Sequence, residues 1–235
     1  MAVLSTDMGD TGHLTITNWL SHAKRRDLFA NCMIIPVDGY EETESFIDNP
    51  FRYCPELKEF NPDFLAWDGF GSWQQVDVSE YVGEKNASKD NEMLESGLVL
   101  DQRGYGAVRN ATTRKFNAFC RIHGADKKWH KLFTVHEAVV YKKVGENKTE
   151  MVVESYKPML SGAGGQMVLG GVDLILRCKA TKGLKNVSYT YVTRGHENLA
   201  AKSRGFDLLD EEPGDFLALW NKIKTNFAGE KGGTV

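Results

Sequence analysis

Basic, aromatic and amide side chains alternate along residues 114–122, and this alternation is the clearest chemical signal in the chain. In a β-strand, Lys115, Phe119 and Arg121 would share one face, and the residues between them would face the core. Asn117 adds an amide to the first face. Cations of this kind contact phosphates, and exposed rings stack on bases for roughly 1–3 kcal/mol each. The alternation therefore predicts a surface that binds single-stranded nucleic acid.

The same combination of cations and rings continues through a predicted turn and return strand. The predicted nucleic-acid-binding residues are Arg114, Lys115, Phe119, Arg121, Lys127, Lys128, Trp129, Lys131, Phe133, Tyr191 and Arg194. The cations of this set would contact phosphates, and its rings would stack on bases. The alternative is an ordinary strand surface, because edge strands carry lysines that prevent aggregation and the aromatic residues of strands usually face the core.

Charge is distributed unevenly along the chain, although the formal net charge is only −3. Residues 41–101 contain 15 acidic and 4 basic residues, whereas residues 103–148 contain 11 basic and 3 acidic ones. Residues 177–204 carry 7 basic residues and one acid, and residues 207–215 carry five acids and no base. Such blocks predict a face that binds a polyanion. The acidic block is either a solvated flank or a cover for the basic face of a neighbouring subunit.

Catalytic, metal and cofactor motifs are absent from the sequence. The glycine cluster of residues 161–165 lacks the Lys-Ser/Thr pair of a phosphate-binding loop. His130 and His136 would share a strand face with no third metal ligand at useful spacing. We therefore predict no enzyme activity, no cofactor and no metal. An enzyme without a local motif, with the histidines or Cys120 at its centre, is the remaining alternative in this class.

The cysteines and the hydropathy of the chain indicate a cellular compartment. Cys32, Cys54, Cys120 and Cys178 are scattered without a C-x-x-C pair, and we expect free, buried thiols. No apolar run approaches the length of a membrane span. These features predict a cytoplasmic protein, located in the host cytoplasm if it is viral, with no membrane partner.

Local patterns predict an α+β fold, with a central antiparallel β-sheet and long hairpins flanked by an N-terminal and a C-terminal helix. The predicted strands are Val108–Ile122, Trp129–Val144, Thr149–Tyr156, Gln166–Ala180 and Lys185–Thr193, and the predicted helices are Thr17–Ala30 and Pro213–Phe227. We predict a flexible N-terminus at 1–13, a single domain at 14–228 and a flexible tail at 229–235. The basic β-hairpin region covers about 103–148 of that domain.

The chain resembles bacteriophage single-stranded-DNA-binding proteins, including those that act as cofactors of a phage RNA polymerase. The resemblance rests on size, overall charge, a β-rich middle and the segment RKFNAFCRIHGADKKWHKLF at 114–133. It implies sequence-tolerant binding of single-stranded DNA in support of phage replication or transcription. It also implies an RNA polymerase or a replication protein as a partner, whereas association with further copies of the chain is an expectation from the charge blocks alone. Many such proteins end in an acidic tail, which this chain lacks.

A second function remains open at this point. The chain could be a non-enzymatic structural or assembly protein, in which oppositely charged faces join subunits. The charge blocks of residues 41–101 and 103–148 fit this alternative as well as they fit nucleic-acid binding.

Overall fold

The chain forms two compact units. A computed structural model describes residues 1–6, 31–79, 81, 92–94, 97–99, 102–144, 150–160, 162–183, 187–195 and 200–230. Unit 1 comprises Met1–His136 and Pro158–Val168, and unit 2 comprises Glu137–Lys157 and Leu169–Val235. Helix Thr17–Ala30, predicted from the sequence, lies outside the described residues, as does the end of the tail, residues 231–235.

Strands and helices are numbered in chain order. The strands are β1 (Ala2–Ser5), β2 (Met33–Pro36), β3 (Phe64–Asp68), β4 (Glu92–Leu94), β5 (Gly97–Val99), β6 (His130–Phe133), β7 (Glu137–Val144), β8 (Glu150–Pro158), β9 (Leu174–Ile175), β10 (Arg177–Lys182), β11 (Val187–Val192), β12 (Lys202–Ser203) and β13 (Glu211–Pro213). The helices are α1 (Gly39–Asp48), α2 (Pro50–Tyr53), α3 (Glu56–Phe60), α4 (Phe70–Gln75), α5 (Gln102–Arg121), α6 (Gly162–Gly171) and α7 (Phe216–Glu230). No helix in these ranges is both long and apolar enough to cross a membrane.

Unit 1 is built on a four-stranded parallel sheet with the order β2-β1-β3-β6. The strands β1, β2 and β3 are short, mostly apolar runs, as is typical of parallel strands. The edge strand β6 begins with His130 and Lys131. Val3 of the central strand β1 pairs with Ile34 of β2 on one side and with Ala66 of β3 on the other. The apolar side chains of β1 are buried. Residues 2–5, which the sequence analysis places in a flexible segment, therefore form a core strand.

The predicted central antiparallel sheet is wrong. The largest sheet is parallel, and antiparallel pairing is confined to small sheets such as β10-β11-β13. The main error is the predicted strand Val108–Ile122, which lies in the 20-residue helix α5. Val108, Thr112, Phe116 and Phe119 of α5 are buried, and their spacing of four, four and three residues is that of a helix face.

Aromatic rings form the core of unit 1 around Trp67, which is completely buried on β3. Its ring centroid lies 4.9 Å from that of Phe70, 4.7 Å from that of Trp73 and 5.1 Å from that of Phe119. Phe133 of β6 adds a ring 5.3 Å from Phe119. This cluster joins the sheet to helices α4 and α5, and it fixes the positions at which β3 and β6 end.

Unit 2 contains the antiparallel sheet β10-β11-β13 and helix α7. Leu208, Leu219 and Ile223 form its buried cluster, against which Tyr191 and Trp220 pack. A helix is confirmed near the predicted Pro213–Phe227, but it begins at Phe216, because Pro213 lies in strand β13. The Asp215 carboxylate accepts a hydrogen bond of 3.0 Å from the Ala218 N–H, as expected of a residue that caps a helix.

The other predicted strands have mixed outcomes. Strands are confirmed near 149–156 and 185–193, where β8 and β11 lie. The predicted strand Trp129–Val144 is divided into β6 of unit 1 and β7 of unit 2, and Gln166–Ala180 begins in helix α6 before it reaches β9 and β10. The error at α6 arose because its glycine-rich sequence, GAGGQMVLGG, carries no clear helical stripe.

Candidate ligand site at the carboxyl edge of the parallel sheet

Two polar side chains meet where neighbouring parallel strands of unit 1 end. Asp68 is the last residue of β3, and Thr134 directly follows β6. The Thr134 hydroxyl donates a hydrogen bond to the Asp68 carboxylate. The same hydroxyl oxygen accepts a hydrogen bond of 3.0 Å from the Gly69 N–H. These hydrogen bonds connect the ends of β3 and β6 through a side chain, just after Trp67 and Phe133, the last residues of the two strands that pair.

A cavity of about 200 Å³ opens beside this pair, and it is lined by Asp68, Gly69, Thr134, Val135 and His136. The backbone of His136 is fixed, because its carbonyl accepts a hydrogen bond of 2.8 Å from the Met159 N–H. The cavity therefore offers a carboxylate, a hydroxyl and an imidazole to one small ligand. A carboxylate accepts hydrogen bonds from hydroxyl or amino groups, and an imidazole can either donate or accept them.

The turn after β3 requires glycine at two positions. Gly69 has a φ of +77°, a left-handed conformation that glycine adopts without strain. Helix α4 then begins at Phe70, whose side chain is buried in the ring cluster. A Cβ on Gly71 would lie 2.8 Å from the Met159 carbonyl oxygen and 2.9 Å from Val135 Cγ1. The sequence Asp68-Gly69-Phe70-Gly71 thus holds the carboxylate at the sheet edge and lets α4 pack closely.

Asp68 is also held from the β1 side. Thr6, which directly follows β1, donates to the Asp68 carbonyl through its N–H at 3.1 Å and its hydroxyl at 2.8 Å. The buried Trp67 ring donates to the Thr6 hydroxyl oxygen at 3.1 Å. The main chain of Asp68 is therefore fixed by β1, and its side chain is oriented by the residue after β6.

A second carboxylate lies at the same edge, after β2. Asp38 is exposed, precedes helix α1 and makes no side-chain capping bond to that helix. Its N–H instead donates to the Glu42 carboxylate at 2.9 Å. The described part of this edge is acidic, which favours ligands with hydroxyl groups, amines or a bound cation. Among the described residues, no group of three or more His, Cys, Asp and Glu side chains could hold a metal ion.

Two of the four aromatic residues of the predicted nucleic-acid surface are buried, and the other two are half-buried. Phe119 is 0% exposed and Trp129 is 5% exposed, and Phe133 packs with Phe119 in the ring cluster. The Trp129 indole donates its N–H to Asn61 Oδ1 at 2.9 Å. Tyr191 packs on the core of unit 2. The expectation that Phe119 and Trp129 stack on bases is corrected, because both rings are buried. For the half-buried Phe133 and Tyr191 it stays a prediction.

Several predicted phosphate contacts are engaged within the protein. Lys115, 5% exposed, forms ion pairs with Glu44 at 2.6 Å and Asp48 at 3.2 Å. Lys127 pairs with Asp63 at 2.9 Å. In addition, Lys131 Nζ donates to the Ile122 carbonyl at 2.6 Å and to the Trp129 carbonyl at 2.9 Å, and Arg194 pairs with Asp210 at 3.2 Å. The expected contacts of buried Lys115 and half-buried Lys131 with phosphates are therefore corrected as well.

The remaining predicted cations are exposed. Arg114 and Arg121 lie on the outer side of α5, and Lys128 lies in the segment between α5 and β6. The predicted set is also divided between the two units, since Tyr191 and Arg194 belong to unit 2 and the others to unit 1.

A cavity of about 380 Å³ in unit 2 is lined by Arg177, Lys179, Val192, Arg194, Gly195, Asp210 and Glu211. Its cations are neutralised by neighbouring acids, as in the Lys179–Glu211 pair at 3.0 Å. The Arg177 guanidinium pairs with Glu137 and lies 4.5 Å from the centre of the Tyr156 ring. These pairings make the cavity a weak anion site.

Sequence patterns alone did not single out Asp68 or Thr134, and they indicated His136 only as a candidate metal ligand or as a residue of an enzyme without a local motif. One signal could have identified Asp68, since the apolar run FLAW ends directly at Asp-Gly, as a buried strand does at a ligand-binding edge. The cysteines are free, as expected, but Cys120 and Cys178 are exposed rather than buried. The chain matches no protein-family model, and no curated protein is significantly similar to it.

Proposed function

We propose that unit 1 binds a nucleotide at the carboxyl edge of its parallel sheet, with Asp68 as the central polar contact. The observation that carries the proposal is the Asp68–Thr134 pair on the wall of the edge cavity. In open parallel α/β sheets, ligands bind outside the carboxyl ends of the strands, where the strand order reverses. In the order β2-β1-β3-β6, that reversal lies between β1 and β3, next to Asp68.

The ligand class follows from the chemistry of the edge. A carboxylate can accept hydrogen bonds from ribose hydroxyls. It can also coordinate Mg²⁺, which proteins usually bind through one or two carboxylates together with the phosphates of a nucleotide. Because Asp38 and Asp68 make the edge acidic, phosphates would approach it as a magnesium complex. The position of the site rests on Asp68 and Thr134, whereas the choice of a nucleotide rests on analogy with other parallel sheets.

Binding can be tested by titrating the full chain with ATP, GTP, AMP and NAD, with and without Mg²⁺, while heat release and thermal unfolding are recorded. The informative variant is Asp68→Asn, which keeps the shape of the side chain and removes its charge. Asp63→Asn is the matched control, because Asp63 is an exposed acid of unit 1 that pairs with Lys127. We expect Asp68→Asn to weaken binding at least about tenfold, roughly 1.4 kcal/mol, and Asp63→Asn to leave it unchanged.

Two results would overturn the proposal. Either no nucleotide binds the folded protein under any of these conditions, or the Asp68→Asn protein binds as tightly as the unmodified chain.

A further inference from the structure

We infer that the exposed face of helix α5 binds the backbone of single-stranded nucleic acid. Residues 102–121 contain five basic residues and no acidic one. Lys115 is neutralised inside unit 1, but Arg109, Arg114 and Arg121 are exposed. This surface is separate from the edge cavity that the proposed nucleotide would occupy.

The helix geometry places Arg114 and Arg121 on one side of α5, in a stripe with two asparagines. Arg114 and Arg121 are seven residues apart, which is nearly two turns and about 10 Å along the axis. Asn110 and Asn117 each precede one of these arginines by four residues and therefore lie beside it on the same face. Arg109 lies five residues before Arg114, about 140° around the helix axis, and is therefore outside this stripe. Arginine and asparagine thus alternate along the solvent side, opposite the buried face of α5.

The three exposed arginines carry charge that no described neighbour cancels. Within the part of the chain that the structure describes, Lys115 and Lys127 each have a carboxylate partner, whereas no ion pair joins Arg109, Arg114 or Arg121 to another described residue. A surface guanidinium that pairs with no described carboxylate can bind a ligand without breaking any of the described ion pairs.

Phosphodiester is the ligand chemistry that fits this stripe. The guanidinium group presents a planar fork of donors that matches phosphate oxygens, and asparagine amides also donate to phosphates and bases. Tyr105, 55% exposed, lies nine residues before Arg114 and therefore on the opposite side of the helix, so it is not part of this surface. A membrane surface fits poorly, because a helix that enters a bilayer interface needs large aliphatic side chains beside its cations, and the exposed face of α5 has none.

Helix α1 favours a single strand over a duplex. It packs beside α5 through the Lys115–Glu44 and Lys115–Asp48 ion pairs. It also exposes Glu41 and Glu42. A duplex lying on the arginines would bring its second row of phosphates towards these acids, and like charges at short range repel each other. A single strand can follow the arginines and avoid α1.

The test is a fluorescence-anisotropy titration of the full chain with a labelled short oligothymidine, repeated over a salt series. Each phosphate neutralised on a single strand contributes about −0.7 to the slope of log K against log salt, so the two arginines of the stripe predict a slope of about −1.4. The informative variant is Arg114→Gln with Arg121→Gln. We expect it to weaken binding at least about tenfold and to reduce the slope by about 1.4 in magnitude.

Two controls make the result specific. Arg52→Gln with Lys58→Gln removes the same charge from exposed positions on α2 and α3, and it should change neither affinity nor slope. Asp68→Asn should bind the oligothymidine normally, which separates this surface from the nucleotide site. The inference is overturned if oligothymidine does not bind, if a duplex of the same length binds equally well, or if the two double variants behave alike.

Discussion

Thr134 and Asp68 join the ends of two neighbouring parallel strands, since the Thr134 hydroxyl donates to the Asp68 carboxylate and accepts from the Gly69 N–H. The carboxylate is therefore oriented by the protein itself. A site that is ordered in advance loses less entropy when its ligand binds, so its affinity is higher than that of a mobile carboxylate. The threonine is thus a positioning residue for Asp68.

Thr134→Val tests this role, because valine has nearly the same shape but no hydroxyl. The Gly69 N–H would lose its acceptor and Asp68 would lose its donor. We expect the free energy of unfolding to fall by about 1–3 kcal/mol and nucleotide affinity to fall with it. Thr134→Ser retains the hydroxyl and should preserve both, as measured by urea unfolding and calorimetric titration. Unchanged affinity in the folded valine variant would contradict the positioning role.

Gly71→Ala tests the close approach of α4 to the chain after β6. The added methyl group would lie 2.8 Å from the Met159 carbonyl oxygen and 2.9 Å from Val135 Cγ1, so α4 or the cavity wall must move. We expect a loss of about 1–3 kcal/mol in urea unfolding. Gly106→Ala is the matched control, because nothing lies within 4 Å of the new methyl group in helix α5. It should stabilise the protein by about 0.5–1 kcal/mol. Equal effects of the two substitutions would contradict the described packing.

Local sequence patterns predicted α7 but not α5, for a physical reason. In α7, Leu219 and Ile223 recur at a helical interval, and Asp215 marks the start of the helix. In α5, one buried position of the helical face is Thr112, so the apolar stripe is interrupted. The remaining alternation near Phe116 and Phe119 also fits the two-residue repeat of a strand. The nine residues 114–122 are too few to distinguish that repeat from the 3.6-residue repeat of a helix.

The parallel sheet and the ligand site depend on contacts that local patterns do not contain. Val3 pairs with Ile34 and Ala66, which are distant in sequence, and no residue near Val3 specifies those partners. Asp68 and Thr134 are 66 residues apart. The sequence correctly indicated strongly basic and aromatic segments, but it could not show that Phe119 faces inward.

The ion pairs of Lys115 predict an asymmetric response to substitution. Lys115→Met removes the buried charge and leaves Glu44 and Asp48, which are partly exposed, to be solvated again. We expect this variant to lose only about 1 kcal/mol. Glu44→Gln with Asp48→Asn instead leaves the buried ammonium without a counter-charge and should cost about 3–5 kcal/mol. Urea unfolding of both variants measures the difference. Equal costs would show that the ammonium of Lys115 is not confined as described.

The pH dependence of the free energy of unfolding should report the lowered pKa of the Lys131 amine. Burial lowers the pKa of Lys131 from 10.5 to about 8, while its Nζ donates to the carbonyls of Ile122 and Trp129. Between these two pKa values, the unfolded chain binds more protons at this residue than the folded chain. The contribution of Lys131 to the free energy of unfolding therefore increases as pH rises from about 8 to about 10.5.

Lys131→Met isolates this contribution, because other groups titrate in both proteins. The variant loses two hydrogen bonds to carbonyl groups, but it also removes the desolvation cost of the charged amine, which the unmodified protein carries below about pH 8. The free energy of unfolding of the unmodified protein minus that of the variant should increase as pH rises from about 8 to about 10.5, because only the unmodified protein carries the Lys131 amine. Urea unfolding at a series of pH values measures this signed difference. A value that stays constant or decreases over this range would mean that the Lys131 amine is solvated in the folded protein.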